Sequence, residues 1–453
     1  MGLQVLARPY PPAGMRRPDP LDRRIVGLAL PALGALVIEP LYNLTDSAIV
    51  GHLGRIPLGG LALATAALNV IGWTAAFLEM ATVSVVAFRR SAGDEEGAGR
   101  AVGAAYLLSL LIGVATTGIV ELVAPYVAAL LGGHSSGAVG ADAVLYLRIS
   151  AIGMPALFVA LAGNGHLTGL ADTRRPLAIA VASNALNVGL EVVLVYGAHL
   201  GIAGSAWGTV GAQCAGAVMF TAVSRRAPVR PVRPGRLDVG ELLSDAVPLT
   251  IRTVALGSAL LATTAIAARL GTAQLGGHQI ALQVWGMLAL VLDSLAVPAQ
   301  VYVSESLGAG DPAAARRLGA RVMSMGLGAG AVLGLACAAS SPVLPAVFSP
   351  DPAVQHQATI ALLICGLQQP VAAAAFVLDG LVLGAAGYRA MRRAMLLALV
   401  AFAPLAAATL LDRGIGLAGI WFAMLCWLGA RAILLGRTWR RIGMQGAAAA
   451  TLS

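Results

Sequence analysis

An eight-residue run, Glu39-Pro40-Leu41-Tyr42-Asn43-Leu44-Thr45-Asp46, lies inside an otherwise apolar stretch of this chain. If that stretch is a helix, Tyr42 and Asp46 share a face at i, i+4, and Glu39, seven residues before Asp46, lies on it too. A second stripe carries Asn184, Asn187 and Glu191 at i, i+3 and i+7. Ser205 and Thr209 follow at i, i+4, and Asn164 stands in the apolar segment before the stripe. Two carboxyl groups facing one pocket, away from water, favour holding a proton between them. With amide and hydroxyl neighbours, the same oxygens could surround a sodium ion. Asn184 or Ser205 alone reads as a packing hydrogen bond. Asp46 does not, because a serine or threonine would bridge two helices at lower cost.

The elements that must position these residues are membrane spans. Of 453 residues, 58% are hydrophobic and 11% charged, against about 25% charged in soluble domains. Apolar stretches of about 20 residues, enough to cross a bilayer core as a helix, recur along the whole chain. The expected spans are 24–50, 59–88, 100–131, 139–168, 174–197, 201–224, 241–269, 274–307, 316–340, 353–385, 390–411 and 415–437. The 55 glycines suit close helix approach in lipid.

Arginine placement tests that count through the positive-inside rule. All 30 basic residues are arginine, and 24 fall in alternate loops beginning with the N-terminus. Only Arg55, Arg269 and Arg413 occupy the opposite loops, and Arg148, Arg252 and Arg431 fall within spans. Both termini are therefore expected to be cytoplasmic. An all-arginine basic complement suggests a GC-rich bacterial genome, hence a bacterial cytoplasmic (inner) membrane. The net charge of +9 and pI near 10 follow from this topology and give no reason to expect a nucleic-acid partner.

The chain also repeats. At an offset of 217 residues Pro31 meets Pro248, Leu58-Gly59-Gly60 meets Leu275-Gly276-Gly277, and Gly93-Asp94 meets Gly310-Asp311. Further on the offset becomes 215, so Asn164-Gly165 meets Asp379-Gly380. Six helices per repeat, an even number, give both halves the same orientation, with a pseudo-two-fold axis along the membrane normal and a cavity between the halves. The expected architecture is all-α: twelve transmembrane helices in two six-helix lobes. The expected organisation is a cytoplasmic tail (1–20), an N-lobe (21–225), a cytoplasmic linker (226–240) and a C-lobe (241–440).

Ionisable residues inside such spans are functional candidates by default. Glu79 and Asp293 stand alone in apolar runs. Asp379 replaces the first half's Asn164 and is expected to line the cavity, as Glu39 is. Arg252 and Asp245 share a helical face and are expected to pair. Pro31 and Pro40 each remove a helical hydrogen bond and predispose the first helix to bend. The four cysteines and six histidines show neither metal-ligand nor disulfide spacing. No nucleotide-binding loop, serine–lysine or serine–histidine pairing is present, so neither an ATPase nor an intramembrane enzyme is expected, and no cofactor.

The run Pro31…Tyr42-x-x-x-Asp46-x-x-x-x-Gly51-x-x-Gly54 resembles the first helix of multidrug and toxic compound extrusion (MATE) transporters. So do Asn164-Gly165-x-x-x-Gly169-x-x-Asp172-Thr173-Arg174-x-Pro176, Asn187-x-x-x-Glu191 and Gly204-Ser205-Ala206-Trp207-Gly208-Thr209. An aspartate in the first helix, with Thr263 in the matching place of the second half, resembles the DinF-like branch. The resemblance implies an exporter of small organic compounds with a central cleft between two lobes, driven by inward H⁺ or Na⁺. An anionic pocket at Asp46 is expected to attract cationic, amphipathic cargo for antiport by alternating access, and the chain is expected to work as a monomer. The resemblance also implies that Asp46 couples the ion, with Glu191, Asn187 and Thr209; that these four would hold Na⁺; that Tyr42 and Asn164 line the cavity; and that Pro31 governs bending. The family's helix-5 acid is usually aspartate, and here it is Glu191. A lipid-linked sugar or lipid flippase of the same superfamily is the alternative, which would place more cationic residues in the cavity.

Overall fold

The computed structural model describes residues 20–132 and 137–450. The expected tail, residues 1–20, lies outside them but for Pro20. The N-lobe comprises α1 (Pro20–Gly51), α2 (Arg55–Ala75), α3 (Phe77–Ser91), α4 (Glu95–Gly132), α5 (Ala138–Ile152), α6 (Met154–Gly169), α7 (Arg174–Glu191) and α8 (Ile202–Arg226). The C-lobe comprises α9 (Arg236–Leu270), α10 (Thr272–Gly308), α11 (Pro312–Ser340), the short α12 (Leu344–Phe348), α13 (Pro352–Gly384), α14 (Tyr388–Leu411) and α15 (Gly416–Ala450). Helices α2 and α3 form one span, and α7 continues as a π-helical turn over Val192–Gly197. Among the described residues eleven stretches are long and apolar enough to cross a membrane. The twelfth span is the pair α5–α6, bent by 52° where Gly153 precedes Pro155, whose ring supplies no backbone N–H. Helix α9 begins at Arg236, inside the stretch expected as linker. The preceding segment runs along α4, with Val232 N–H donating to the Gly99 carbonyl at 2.9 Å.

The repeat is physical as well as sequential, because equivalent glycines meet equivalent partners. A Cβ on Gly60 would lie 2.6 Å from Asp142 Cβ, and one on Gly277 would lie 2.7 Å from Gln357 Cβ. Gly165 packs on Glu79 and Gly380 on Ala296; Gly169 packs on Val83 and Gly384 on Gln300. Each pair obeys the 217 and 215 offsets. These contacts let the helix backbones of each lobe touch.

Two lobes share one core at their arginine-rich ends and keep separate cores at the others. Ile25, Leu28 and Leu78 of the N-lobe cluster with Leu242, Leu249, Val303 and Leu381 of the C-lobe. Toward the opposite ends, the cluster around Val50, Tyr146 and Val210 and the cluster around Trp285, Phe402 and Trp421 each belong to a single lobe. The lobes therefore close on the arginine-rich side.

Polar contacts reinforce that closure. Arg321 donates to both oxygens of Asp22 at 2.6 Å, and Arg24 lies over the Tyr302 ring and 4.0 Å from Glu305. On the other flank Arg89 reaches Glu241 at 2.6 Å and Asp238 at 3.1 Å. Arg24 and Glu241 are repeat equivalents, and Glu305 is equivalent to Phe88, beside Arg89. The same contact is thus made twice across the pseudo-two-fold with its charges reversed.

Candidate functional site

Helices α1, α5, α7 and α8 bring one polar cluster together in the N-lobe. Asp46 is 4% exposed and Glu191 is fully buried. Ser205 Oγ donates to Asp46 Oδ1 at 2.6 Å and lies 3.5 Å from Glu191 Oε1. Tyr146 donates its hydroxyl to Asp46 Oδ2 at 3.4 Å. Both carboxyl groups thus face the one Ser205 hydroxyl. With its amide turned so that oxygen and nitrogen each face a complementary partner, Asn187 donates to Glu191 Oε1 at 3.2 Å and accepts from the Thr209 N–H at 3.1 Å. Tyr42 and Thr209 share a hydroxyl–hydroxyl hydrogen bond of 2.9 Å. Thus Asp46, Glu191, Asn187, Thr209 and Tyr42 do converge, as their spacing predicts.

Local sequence builds this pocket. Gly208 faces Glu191, where a Cβ would lie 2.8 Å from Glu191 Cγ; the longer acid fits because its neighbour has no side chain. The π-helical turn begins immediately after Glu191, and Tyr196 within it donates to the Ile49 carbonyl at 2.8 Å. That bond ties the end of α7 to α1, beside Asp46.

The electrostatics are unbalanced. Among the described residues no arginine forms an ion pair with Asp46 or Glu191, and Glu191 Oε2 is buried without a hydrogen-bond partner. Burying one uncompensated charge costs several kcal/mol. A buried acceptor lacking a donor marks where a proton or a small cation would sit. Asp46, the orphaned Glu191 oxygen and the Thr209 hydroxyl are oxygen donors suited to sodium.

The other half lacks this chemistry. At the repeat offsets, Tyr42, Asp46, Tyr146, Asn187, Glu191, Ser205 and Thr209 correspond to Ala259, Thr263, Ala361, Phe402, Ala406, Ile420 and Met424. All seven are buried, within or beside the C-lobe core. One scaffold position set holds a polar pocket in one lobe and solid packing in the other.

Remaining candidates sit elsewhere. Glu39 is exposed and hydrogen-bonds to none of the cluster. Asn164 donates to Glu79 Oε1 at 2.8 Å, away from Asp46. Asn184 donates to the Ala180 carbonyl of its own helix. Pro31 lies inside α1, which is continuous over 32 residues. Asp379 does not line an open cavity. It is buried between two arginines, with Arg252 Nη2 at 2.6 Å from Oδ2, Arg431 Nε at 3.3 Å from Oδ1, and Arg431 Nη2 also bonded to Oδ2. Arg252 therefore pairs with Asp379 and not with Asp245: Asp245 lies two turns nearer the arginine-rich end, whereas Asp379 crosses from α13 at the right depth. Arg431 stacks near Phe376 and Trp427.

Sequence reasoning did not single out Tyr146 or the pairing of Arg431. Two arginines and two aspartates within the spans of one lobe, which must neutralise one another in lipid, were the available signal for the second. Nothing around Tyr146 marked it.

Comparison with known proteins agrees with this architecture. The MatE family model matches residues 31–193 and 248–408, one match in each lobe, and the chain belongs to that family of multidrug and toxic compound efflux transporters. It is 28% identical over 450 residues to DNA damage-inducible protein F of Escherichia coli, covering 94% of this chain and 93% of that protein. It is 29% identical to the probable multidrug resistance protein NorM of Rhizobium meliloti, covering 91% of each, and 28% identical to the chloroplastic protein DETOXIFICATION 45 of Arabidopsis thaliana, covering 93% and 78%. Among solved structures, the Vibrio cholerae MATE transporter VcmN in its bent form superposes with a TM-score of 0.87 at 16% identity, covering 94% and 98%.

Proposed function

We propose that this MATE-family chain is an antiporter that exports organic, cationic amphipathic compounds in exchange for inward protons, with Asp46 and Glu191 as the coupling site. The observation that carries the reading is the pair of buried carboxyl groups with no cationic partner among the described residues. An imported ion must supply the compensating charge. Protons suit the site best, because the two carboxyl groups converge on one hydroxyl hydrogen; sodium held by Asp46, Glu191, Asn187 and Thr209 is the alternative ion.

The cycle follows from charge. With Asp46 and Glu191 deprotonated, the N-lobe pocket is anionic and favours a cationic guest. Glu39 and Glu79 are further acidic groups of the N-lobe, and Tyr42 and Asn164, which holds Glu79 at 2.8 Å, supply hydrogen-bonding groups. A proton entering from the open side neutralises the pocket and releases the guest to that side. It can drive transport only because the two facing states bind it with different affinity. Arginine placement supports a cytoplasmic closed side and an external open side, and the all-arginine basic complement supports a bacterial inner membrane. Pro31, midway between the closed end of α1 and the pocket, is where α1 bends.

A lipid-linked sugar flippase fits less well. Arg252 and Arg431 both bond to Asp379, and Arg148 pairs with Glu121 at 3.4 Å, so each described arginine within the spans already has a carboxylate partner and none stands ready for a phosphate. The test is efflux of a fluorescent organic cation from proteoliposomes under an imposed pH gradient or an imposed sodium gradient. Efflux under the pH gradient alone supports proton antiport; efflux under sodium alone reassigns the ion; no efflux under either removes the export reading.

A further inference from the structure

A groove of about 410 Å³ opens toward lipid between α1 and the start of α7, lined by Asp22, Arg23, Val26, Gly27, Leu30 and Pro31 with Arg174. Its charges and its apolar wall are segregated along the membrane normal. Arg23 and Arg174 stand at the arginine-rich end, both exposed, while Val26 and Leu30, 45% and 65% exposed, run from there toward the membrane centre. The floor is fixed, since Thr173 Oγ1 donates to the Leu28 carbonyl at 3.0 Å and joins the two helices.

Nearby carboxylates do not answer these arginines. Asp22 is held by both arms of Arg321, and Asp172 caps the N–H groups of Arg174 and Arg175 and pairs with the Arg175 side chain at 3.3 Å. Among the described residues Arg23 and Arg174 form no ion pair. The chain before Pro20 is an unsuitable occupant, for it brings Arg8, Arg16 and Arg17 against a single Asp19.

We propose that this groove binds an anionic phospholipid of the cytoplasmic leaflet, with its phosphate between Arg23 and Arg174 and an acyl chain along Val26, Gly27 and Leu30 to Pro31. The polar end of the groove lies at headgroup depth and the apolar end lies deeper, which is the polarity of a lipid in that leaflet. Basic pockets between spans on the cytoplasmic side recognise acidic headgroups in this way. The assignment of the leaflet rests on the topology of the export reading, while the binding does not depend on transport. Its occupant touches α1 along the turn before Pro31, so it also bears on the helix proposed to bend.

The test is lipid retention by purified full-length protein, followed by native mass spectrometry during titration with phosphatidylglycerol or phosphatidylcholine. Wild type should retain phosphatidylglycerol in preference to phosphatidylcholine. The double variant Arg23→Ala/Arg174→Ala should bind phosphatidylglycerol roughly 25-fold more weakly, at about 1 kcal/mol per arginine and tenfold per 1.4 kcal/mol. Gly27→Phe keeps both arginines and folds readily, since nothing lies within 4 Å of a Cβ at Gly27; by filling the groove it should displace the lipid. Arg148→Ala, at the far side of the N-lobe, should change nothing. Equal retention by wild type and both groove variants, or equal retention of the two lipids by wild type, would overturn the proposal. Selective retention by a protein that exports no cation would sink the export reading and leave the lipid site standing.

Discussion

Asp46 on α1 and Glu191 on α7 meet over the single hydroxyl of Ser205, which lies 2.6 Å from one carboxyl group and 3.5 Å from the other. One hydroxyl hydrogen cannot serve both, and among the described residues no cation pairs with either acid. Removing Ser205 therefore leaves the carboxyl pair short of its nearest donor, at a cost of about 1–3 kcal/mol. Ser205→Ala should lower thermal stability in detergent at neutral pH, and the loss should be largely absent in the double variant Asp46→Asn/Ser205→Ala. Additive losses would show that Ser205 acts independently of Asp46.

Gly208 should be as strict as an acid in the pocket. A methyl group there meets Glu191 Cγ, so Gly208→Ala should impair ion-driven efflux severely. Gly208→Ala combined with Glu191→Asp, which shortens the acid, should recover much of it. Efflux rates of the three variants under one pH gradient check this.

The two lobes should not be interchangeable. Thr263→Asp puts a carboxylate at the Asp46 equivalent, where Ala361, Ala406 and Ile420 replace Tyr146, Glu191 and Ser205. It should destabilise the protein by several kcal/mol and should not rescue transport in Asp46→Asn. Thermal unfolding and efflux of the single and double variants decide the matter.

In the C-lobe, Arg252, Asp379 and Arg431 form a buried network in which each charge needs the others. Arg431→Met should cost about 3 kcal/mol, and Asp379→Asn, which strands two guanidinium groups, about 3–5 kcal/mol. Unfolding temperatures measured in one detergent give both values. A neutral effect of Asp379→Asn would mean that the arginines have other partners.

Closure on the arginine-rich side should weaken when both ionic clamps are cut. At about 1 kcal/mol for each clamp, Arg89→Ala with Arg321→Ala should shift the ratio of facing states by roughly 25-fold. Spin labels on the arginine-rich ends of α3 and α9 should then report a longer-distance population that wild type lacks. The charge swap Arg89→Glu/Glu241→Arg should leave that population smaller than Arg89→Glu alone.

Much of this was legible in the sequence, for identifiable reasons. Spans are long apolar runs, and alternate loops carry the arginines, so the helix count and two-lobe class follow from composition and periodicity. Tyr42, Asp46, Asn187 and Glu191 could be grouped because helical spacing puts them on common faces. Tyr146 could not, because its role depends on which face of α5 packs toward α1 and α8. Asp379 was misplaced for a similar reason. Its partners Arg252 and Arg431 lie 127 and 52 residues away, and only the packing of α9, α13 and α15 brings them to one depth. Glu39 shares a helical face with Asp46 yet lies two turns away, outside the pocket's hydrogen bonds.

Proton release on cargo binding tests the central claim most directly. Purified protein in weakly buffered detergent, equilibrated near neutral pH with a pH indicator, would be mixed with a saturating organic cation. If cargo and proton compete for the Asp46–Glu191 pocket, wild type should release about one proton per molecule, and Asp46→Asn should release none. Tight binding of the cation by wild type with no proton released, in the presence or absence of sodium, would contradict proton coupling at this site.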